Sequence, residues 1–234
     1  MTGTDTNGVL YELKDASRTF RRGSSAIAAV DSIDLTIPVG GFMALVGPSG
    51  SGKTTPLQLL GALDRVSSGH VFFDGRDLGS LPDGELADLR LHAFGFVFQQ
   101  FNLIPTLTAL ENVEAGLAPL GLDSDELRDR SSQLLGEVGL EGRADHLPSQ
   151  LSGGEQQRVA IARALAKDPR VILADEPTGN LDTKTGSDVI ELLAGLAARH
   201  ATTVVVATHD NELAARANPR IAMRDGRLAE AAVA

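Results

Sequence analysis

Residues 42–54 read Phe-Met-Ala-Leu-Val-Gly-Pro-Ser-Gly-Ser-Gly-Lys-Thr, an apolar run of five residues that leads into a glycine-rich turn. The apolar run has the length of a buried parallel strand. The turn fits the pattern G-x-x-x-x-G-K-[ST], in which backbone N–H groups point at phosphate oxygens. An apolar segment with helical spacing follows, at Leu57, Leu60 and Leu63. Strand, loop and helix therefore predict a phosphate-binding loop rather than a surface loop that matches by chance.

The residues of this loop have separate expected roles. Lys53 is expected to reach the β- and γ-phosphates of a nucleotide, and Thr54 to give a hydroxyl ligand to Mg²⁺. Pro56 lacks an N–H group, which costs little if it falls in the first turn of the helix. The predicted phosphate contacts are Gly47, Pro48, Ser49, Gly50, Ser51, Gly52, Lys53, Thr54 and Thr55.

Two further apolar runs end in polar residues. Val171–Ala174 leads into Asp175 and Glu176, and Val204–Ala207 leads to His209 two residues later. Ligands of open α/β sheets bind at the carboxyl ends of the strands, so we expect one shared site. Asp175 suits a water-mediated hold on Mg²⁺, and Glu176 suits the polarisation of a water. The alternatives are a solvated acidic turn and a structural histidine.

Residues 151–158 read Leu-Ser-Gly-Gly-Glu-Gln-Gln-Arg and open a segment of helical character. The string therefore predicts a second helix N-terminus that binds an anion, although an ordinary Ser/Gly helix cap would have a similar sequence. A chain with one phosphate loop needs a second anion site only if two chains share each nucleotide.

The remaining patterns predict the architecture. Residues 106–142 carry apolar residues at helical spacing, with Asp123 and Glu126 resembling a capping box. Apolar residues alternate with other residues over residues 30–37, which predicts a strand in an antiparallel flank. Asp74-Gly75 suits a hairpin turn. We predict an α/β fold with a mainly parallel sheet, an N-terminal antiparallel β flank and an inserted helical subdomain.

Composition excludes several classes of protein. The 234 residues suit a single domain, and the formal charge of −10 argues against broad nucleic-acid binding. The absence of cysteine excludes disulfides and thiolate metal sites. Met1–Gly8 lacks the apolar core of a signal peptide, and no apolar run reaches the roughly 20 residues that span a bilayer. Any membrane-spanning part is expected to come from another chain.

These motifs together resemble the nucleotide-binding subunits of ABC transporters, from about Tyr11 to about Leu228. The resemblance implies a P-loop NTPase (RecA-like) core and a homodimer, in which the phosphate loop of one subunit and the signature string of the other enclose each ATP. Glu155 stands where that string often has Gln, and Gly41 where the family commonly has an acidic residue. The domain expected is one ABC ATPase over 1–234, with an α/β core at 1–100 and 159–234 and a helical signature subdomain at 101–158.

The resemblance also assigns roles. Phe20 is expected to stack on adenine, Gln99 to touch Mg²⁺ and sense the γ-phosphate, and Asp182 to lie in the loop that crosses the dimer interface. It implies catalytic roles for Glu176, His209, Lys53 and Gln99, metal contacts from Thr54, Gln99 and Asp175, and nucleotide contacts from Phe20, Ser152, Gly153, Gly154, Glu155 and Asp182, besides the phosphate loop.

The strings at 96–105, 111–113 and 173–182 are similar to the lipoprotein-release and macrolide-efflux group. Membership would imply an ATPase on the cytoplasmic face of the cell membrane, powering a separate transmembrane permease of an exporter-type system. Phe101, Leu103 and Ile104 would contact that permease. One alternative is a transmembrane signalling complex of the cell-division type, which moves no substrate. A soluble ABC ATPase of DNA repair or translation is disfavoured by the acidic charge, the single cassette and the lack of sustained heptads.

Overall fold

The computed structural model describes residues 8–23 and 25–229, so the interpretation of Met1–Gly8 falls almost wholly outside the described residues. The strands are β1 (Val9–Arg22), β2 (Ser25–Pro38), β3 (Phe42–Val46), β4 (Ser68–Phe73), β5 (Arg76–Asp77), β6 (Phe94–Phe98), β7 (Val171–Asp175), β8 (Thr203–Thr208), β9 (Arg220–Arg224) and β10 (Arg227–Leu228). The α-helices are α1 (Thr54–Leu60), α2 (Asp83–His92), α3 (Ala109–Leu117), α4 (Ser124–Glu137), α5 (Gly153–Leu165), α6 (Thr183–Arg199) and α7 (Asn211–Arg216).

The chain forms two compact units, one from the described parts of Met1–Arg90 and Val205–Ala234 and the other from Leu91–Val204. In the first unit an antiparallel sheet has the order β2-β1-β4-β5. Ile33 and Ile37 of β2 are buried, as their alternation predicts. Asp74 and Gly75 have φ of 51° and 74° and close the turn between β4 and β5. The antiparallel flank and its hairpin are confirmed.

The phosphate loop of the first unit follows β3, which lies between β8 and β9. β3 pairs in parallel with β9, and its central residues are almost fully buried because apolar side chains cover both faces. α1 begins at Thr54, so Pro56 falls in the first turn as expected. The helix is shorter than predicted: it ends before Gly61, and Leu63 is 50% exposed.

The second unit joins a strand pair to four helices. β6 and β7 pair in parallel, with Phe94 opposite Val171 and Phe98 opposite Asp175. α3 packs against α4 and α5, and α5 packs against β6 and α6. Asp123 caps α4 by accepting from two backbone N–H groups, which confirms the predicted cap, but Glu126 does not complete the capping box. The domain boundaries predicted from sequence remain a prediction. No helix within 8–23 and 25–229 combines the length and hydropathy that crossing a bilayer requires.

A fully buried asparagine on α3 holds the segment between β6 and α3. Asn112 Oδ1 accepts the Ile104 N–H at 2.7 Å. Its Nδ2 donates to the carbonyl oxygens of Ile104, Leu107 and Thr108 at 3.1, 3.0 and 2.9 Å. One side chain thus satisfies the backbone of an irregular segment, since buried peptide groups must be paired.

We expect Asn112→Ala to lower the free energy of unfolding by roughly 2–4 kcal/mol, because it leaves several peptide groups without partners. Urea denaturation of the purified chain measures this loss. Ser132→Ala, at an exposed position of α4, serves as the control and should change stability by less than about 0.5 kcal/mol. An equally small change in Asn112→Ala would contradict the assigned role.

Candidate functional site

The phosphate loop is pressed against neighbouring backbone at two glycines. The Gly47 N–H donates to the Thr208 carbonyl at 3.3 Å. A Cβ at Gly47 would lie 2.4 Å from the Met223 carbonyl oxygen, and one at Gly52 would lie 2.5 Å from the Ala29 carbonyl oxygen. Gly52 also has φ of 96°. Only glycine fits these two positions, which gives the sequence pattern its physical reason.

The turn between β9 and β10 ties the loop to β2. The Gly226 N–H donates to the Ser51 carbonyl at 3.1 Å, and the Gly226 carbonyl accepts the Asp31 N–H at 2.9 Å. Arg227 Nη2 lies 2.7 Å from Asp31 Oδ2 and reinforces the same connection. Sequence reasoning missed this support, although Asp225-Gly226 is a turn signal that could have located it.

Three polar side chains of the loop differ in burial and hydrogen bonding. Lys53 is buried, and its Nζ donates to the carbonyl oxygens of Gly47 and Pro48 at 2.7 and 3.0 Å. Ser51 Oγ is buried and has no hydrogen-bond partner among the described residues. Thr54 is exposed at the start of α1. An unpaired buried hydroxyl is costly, and a phosphate oxygen would relieve that cost, so the donors fit a phosphate.

Phe20 and His209 also belong to the first unit. Phe20 lies on β1 and is 41% exposed. His209 is exposed directly after β8, and the Asp210 N–H donates to Thr208 Oγ1 at 2.9 Å, which fixes the turn around His209. Because Thr208 accepts from Gly47, the structure brings His209 next to the start of the phosphate loop.

The second unit brings Gln99 and the acidic pair to one edge of the β6–β7 pair. Gln99 follows Phe98, the register partner of Asp175. Gln99 Nε2 donates to Asn180 Oδ1 at 3.2 Å, and Asn180 Nδ2 donates to the Gln99 carbonyl at 2.9 Å. Glu176 has φ of 45°, a left-handed conformation that is uncommon for a non-glycine residue and recurs at functional sites.

The signature string starts α5 through a capping box. Ser152 Oγ accepts the Glu155 N–H at 3.3 Å, while Glu155 Oε2 accepts the N–H and the hydroxyl of Ser152, both at 2.8 Å. Arg143 Nε donates to Glu155 Oε1 at 3.1 Å. Glu155, predicted to contact nucleotide, is thus engaged in capping the helix, and its nucleotide contact remains a prediction. The S-x-x-E spacing is the signal for this role.

The start of α5 lies against the loop that holds Asp182. A Cβ at Gly153 would lie 3.2 Å from Leu181 Cδ2, and one at Gly154 would lie 2.4 Å from Thr185 Cγ2. Asp182 caps α6 by accepting the Thr185 N–H at 3.0 Å. The signature glycines therefore allow the helix to approach this loop closely. Within residues 8–23 and 25–229 no group of three His, Cys, Asp or Glu side chains forms a metal cluster.

A family model described as ABC transporter matches residues 30–179. The chain belongs to the ABC transporter family. It is similar to the macrolide export ATP-binding/permease protein MacB of Brucella melitensis (49% identity over 219 residues) and of Marinobacter nauticus (48% over 221 residues). Each match covers 94% of this chain and 34% of the relative, so the chain spans about a third of the length of these curated relatives.

Solved structures of ABC cassettes share the whole fold. The ATP-binding cassette MJ0796, bound to ADP and Pi in a post-hydrolysis state, matches with a TM-score of 0.87 and 45% identity, covering 94% of this chain and 96% of that one. CbiO1 from Clostridium perfringens, part of the ABC transporter complex cbiONQ, matches with a TM-score of 0.84 and 28% identity, covering 95% and 87%. The predicted P-loop NTPase fold is confirmed, and the chain has the fold of an ABC transporter cassette.

The capping box makes stability depend on pH. Hydrogen bonds from the Ser152 backbone and hydroxyl lower the pKa of Glu155 against the effect of burial, with help from Arg143. A carboxyl group whose pKa is lower in the folded than in the unfolded chain stabilises the fold at pH values above its unfolded-state pKa. This contribution disappears as the pH falls through the folded-state pKa.

We expect Glu155→Gln to remain close to the native stability at pH 7, because Gln also completes a capping box. As pH falls below the ordinary glutamate pKa of 4.5, the variant should lose less stability than the native chain, since its side chain does not titrate. Chemical denaturation at a series of pH values measures how the free energy of unfolding of each chain depends on pH. Glu191→Gln, at an exposed position of α6, is the control. The same dependence of the free energy of unfolding on pH in the native chain and in Glu155→Gln would refute the capping role of Glu155.

Proposed function

We propose that this chain binds ATP with Mg²⁺ and hydrolyses it as the motor of an exporter-type ABC transporter, working as a homodimer on the cytoplasmic face of the cell membrane with a transmembrane permease. The observation that carries the proposal is the phosphate loop, with its tightly packed Gly47 and Gly52, buried Lys53 and unpaired Ser51 hydroxyl. The export role of the similar MacB proteins supports the exporter type. A dimeric bacterial ABC transporter cassette of 46% identity supports the homodimer.

The residues that would hold the substrate divide by chemistry. The N–H groups of the phosphate loop and Lys53 bind the phosphates, and Phe20 stacks on adenine. Thr54, Gln99 and Asp175 offer oxygen ligands, which Mg²⁺ prefers. Since Gln99 Nε2 donates to Asn180 Oδ1, the side-chain oxygen of Gln99 is the atom that would ligate a cation. The bound ion supplies positive charge to the β- and γ-phosphates.

Hydrolysis needs a base and a group that holds the γ-phosphate. Glu176 accepts a proton from the attacking water as the water oxygen bonds to phosphorus and the bond to the bridging oxygen breaks. Glu176 has a left-handed backbone conformation of the kind that recurs at functional sites, and His209 donates to a γ-phosphate oxygen. Ser152, Gly153 and Gly154 of the second copy contribute N–H groups at the start of α5, where negative charge is stabilised.

The segment after Gln99 provides the surface for the permease. Phe101 and Asn102 have φ of 60° and 50°, and Arg163 donates to their carbonyl oxygens at 2.8 and 2.6 Å. Leu103 is half-buried and Ile104 is 43% exposed. Apolar side chains that are at least partly exposed on a hydrogen-bonded backbone suit a helix of a partner protein. We expect Phe101, Leu103 and Ile104 to make this contact.

The first test is the Glu176→Gln variant. It should lose ATP hydrolysis by about 100-fold or more while it keeps ATP affinity, because only the proton acceptor is removed. With ATP and Mg²⁺ it should accumulate as a dimer, measured by size-exclusion chromatography with light scattering. Glu191→Gln, exposed on α6, is the matched control and should hydrolyse ATP normally.

Affinity purification of tagged Glu176→Gln from native membranes tests the partner. A polytopic membrane protein in the complex would support the transporter, and the form of its extracytoplasmic domain separates export from signalling. A trapped dimer without a membrane partner, or with nucleic acid, would contradict the transport role while leaving the ATPase proposal intact.

Phe101→Ala should reduce the amount of permease that co-purifies and leave nucleotide affinity unchanged. Because the Phe101 ring lies 3.8 Å from the position of a Cβ on Gly153, the change also removes some packing within the cassette. Ile104→Ala, at a more exposed side chain, should show the same loss without that effect. Leu147→Ala, an exposed apolar residue elsewhere in the second unit, is the control. Full complex formation by both variants would rule out this surface.

A further inference from the structure

Arg18 and Phe20 lie two residues apart on β1, so their side chains face the same side of the strand. The guanidinium carbon of Arg18 lies 4.7 Å from the centre of the Phe20 ring. That distance is within the range of cation–π attraction. A planar ring has two faces, and a cation over one of them leaves the other for a ligand.

An aspartate after α1 holds the guanidinium in place. Arg18 Nε donates to Asp64 Oδ2 at 2.8 Å, and both side chains are largely buried, at 25% and 22% exposure. Asp64 Oδ1 in turn accepts the Arg65 N–H at 2.8 Å. Both carboxylate oxygens are therefore engaged, and the position of Arg18 is set by the segment that directly follows α1.

A β-bulge connects the same strands to the phosphate loop. Arg18 pairs with Val30 but Thr19 pairs with Ala28, so Ala29 is an extra residue in β2. The Ala29 carbonyl is the one that excludes a side chain at Gly52. The bulge thus places β2, the strand paired with Phe20, against the phosphate loop. This contact sets the distance between the Phe20 ring and the loop.

The residue opposite Phe20 is also apolar and exposed. Phe20 pairs with Ile27, whose side chain is 55% exposed, and directly opposite residues of an antiparallel pair share one face. An aromatic ring and an aliphatic side chain side by side form a small apolar surface of the kind on which a nucleobase stacks.

We propose that Arg18, fixed by Asp64, is a positioning residue for the nucleobase: it holds the Phe20 ring from one face so that a purine stacks on the other. The inference rests on the proposed nucleotide site and adds to it a residue that acts through Phe20. Arg18 contributes to the affinity for the base and not to the affinity for the phosphates.

Isothermal titration with Mg-ADP and competition with Mg-pyrophosphate separate these contributions, because pyrophosphate has no base. Arg18→Met should weaken ADP binding about two- to five-fold, as expected for the loss of one cation–π contact, and leave pyrophosphate binding unchanged. Arg18→Lys should restore part of the loss. Phe20→Leu should weaken ADP binding by about five-fold or more, and Arg18→Met should then add nothing.

Thermal melting of every variant checks that the fold is intact. Asp64→Asn weakens the contact that holds the Arg18 guanidinium and so tests the same role without changing Arg18. A ratio of ADP to pyrophosphate affinity that is the same in Arg18→Met and the native chain would overturn the proposal, as would tighter ADP binding, which would mean that Arg18 occupies the stacking face. A native chain that binds neither ligand would instead overturn the proposed nucleotide site, and this inference with it.

Discussion

The close approach of the phosphate loop to two backbone carbonyls is the constraint on which the first unit depends. Gly47 and Gly52 touch the Met223 and Ala29 carbonyl oxygens at distances that no side chain allows. Hydrogen bonds through Gly226 then join the loop to β2. A loop whose own N–H groups must face an anion has few internal bonds, so its shape has to be imposed by its neighbours.

The contact between the phosphate loop and β2 connects the loop to residues that lie far from it in sequence. The antiparallel flank of β1 and β2 is the support on which Phe20 is displayed, and the bulge at Ala29 is the point where flank and loop meet. Bulges commonly re-aim side chains beside functional sites. The Phe20 ring and the phosphate loop are consequently linked through β2.

The second unit relies on buried polar side chains to shape its functional loops. Asn112 satisfies the segment that begins at Ile104, and Arg163 holds the left-handed residues Phe101 and Asn102. Burial lowers the pKa of Arg163, and the two carbonyl oxygens offset the cost of burying its charge. Capping boxes at α3 and α5 complete the helix starts. The irregular backbone around Phe101 and Ile104 is thus held by side-chain hydrogen bonds.

The sequence by itself determined the family, the α/β class, the buried strands and the phosphate loop, because strand length, helix period and motif spacing are local properties. It also located the hairpin at Asp74-Gly75 and the cap at Asp123. Only the tertiary structure decided that Arg18 meets Asp64, 46 residues away, and that Arg163 holds Phe101, 62 residues away. Such contacts join residues with no common periodicity, so their geometry exists only once the elements have packed.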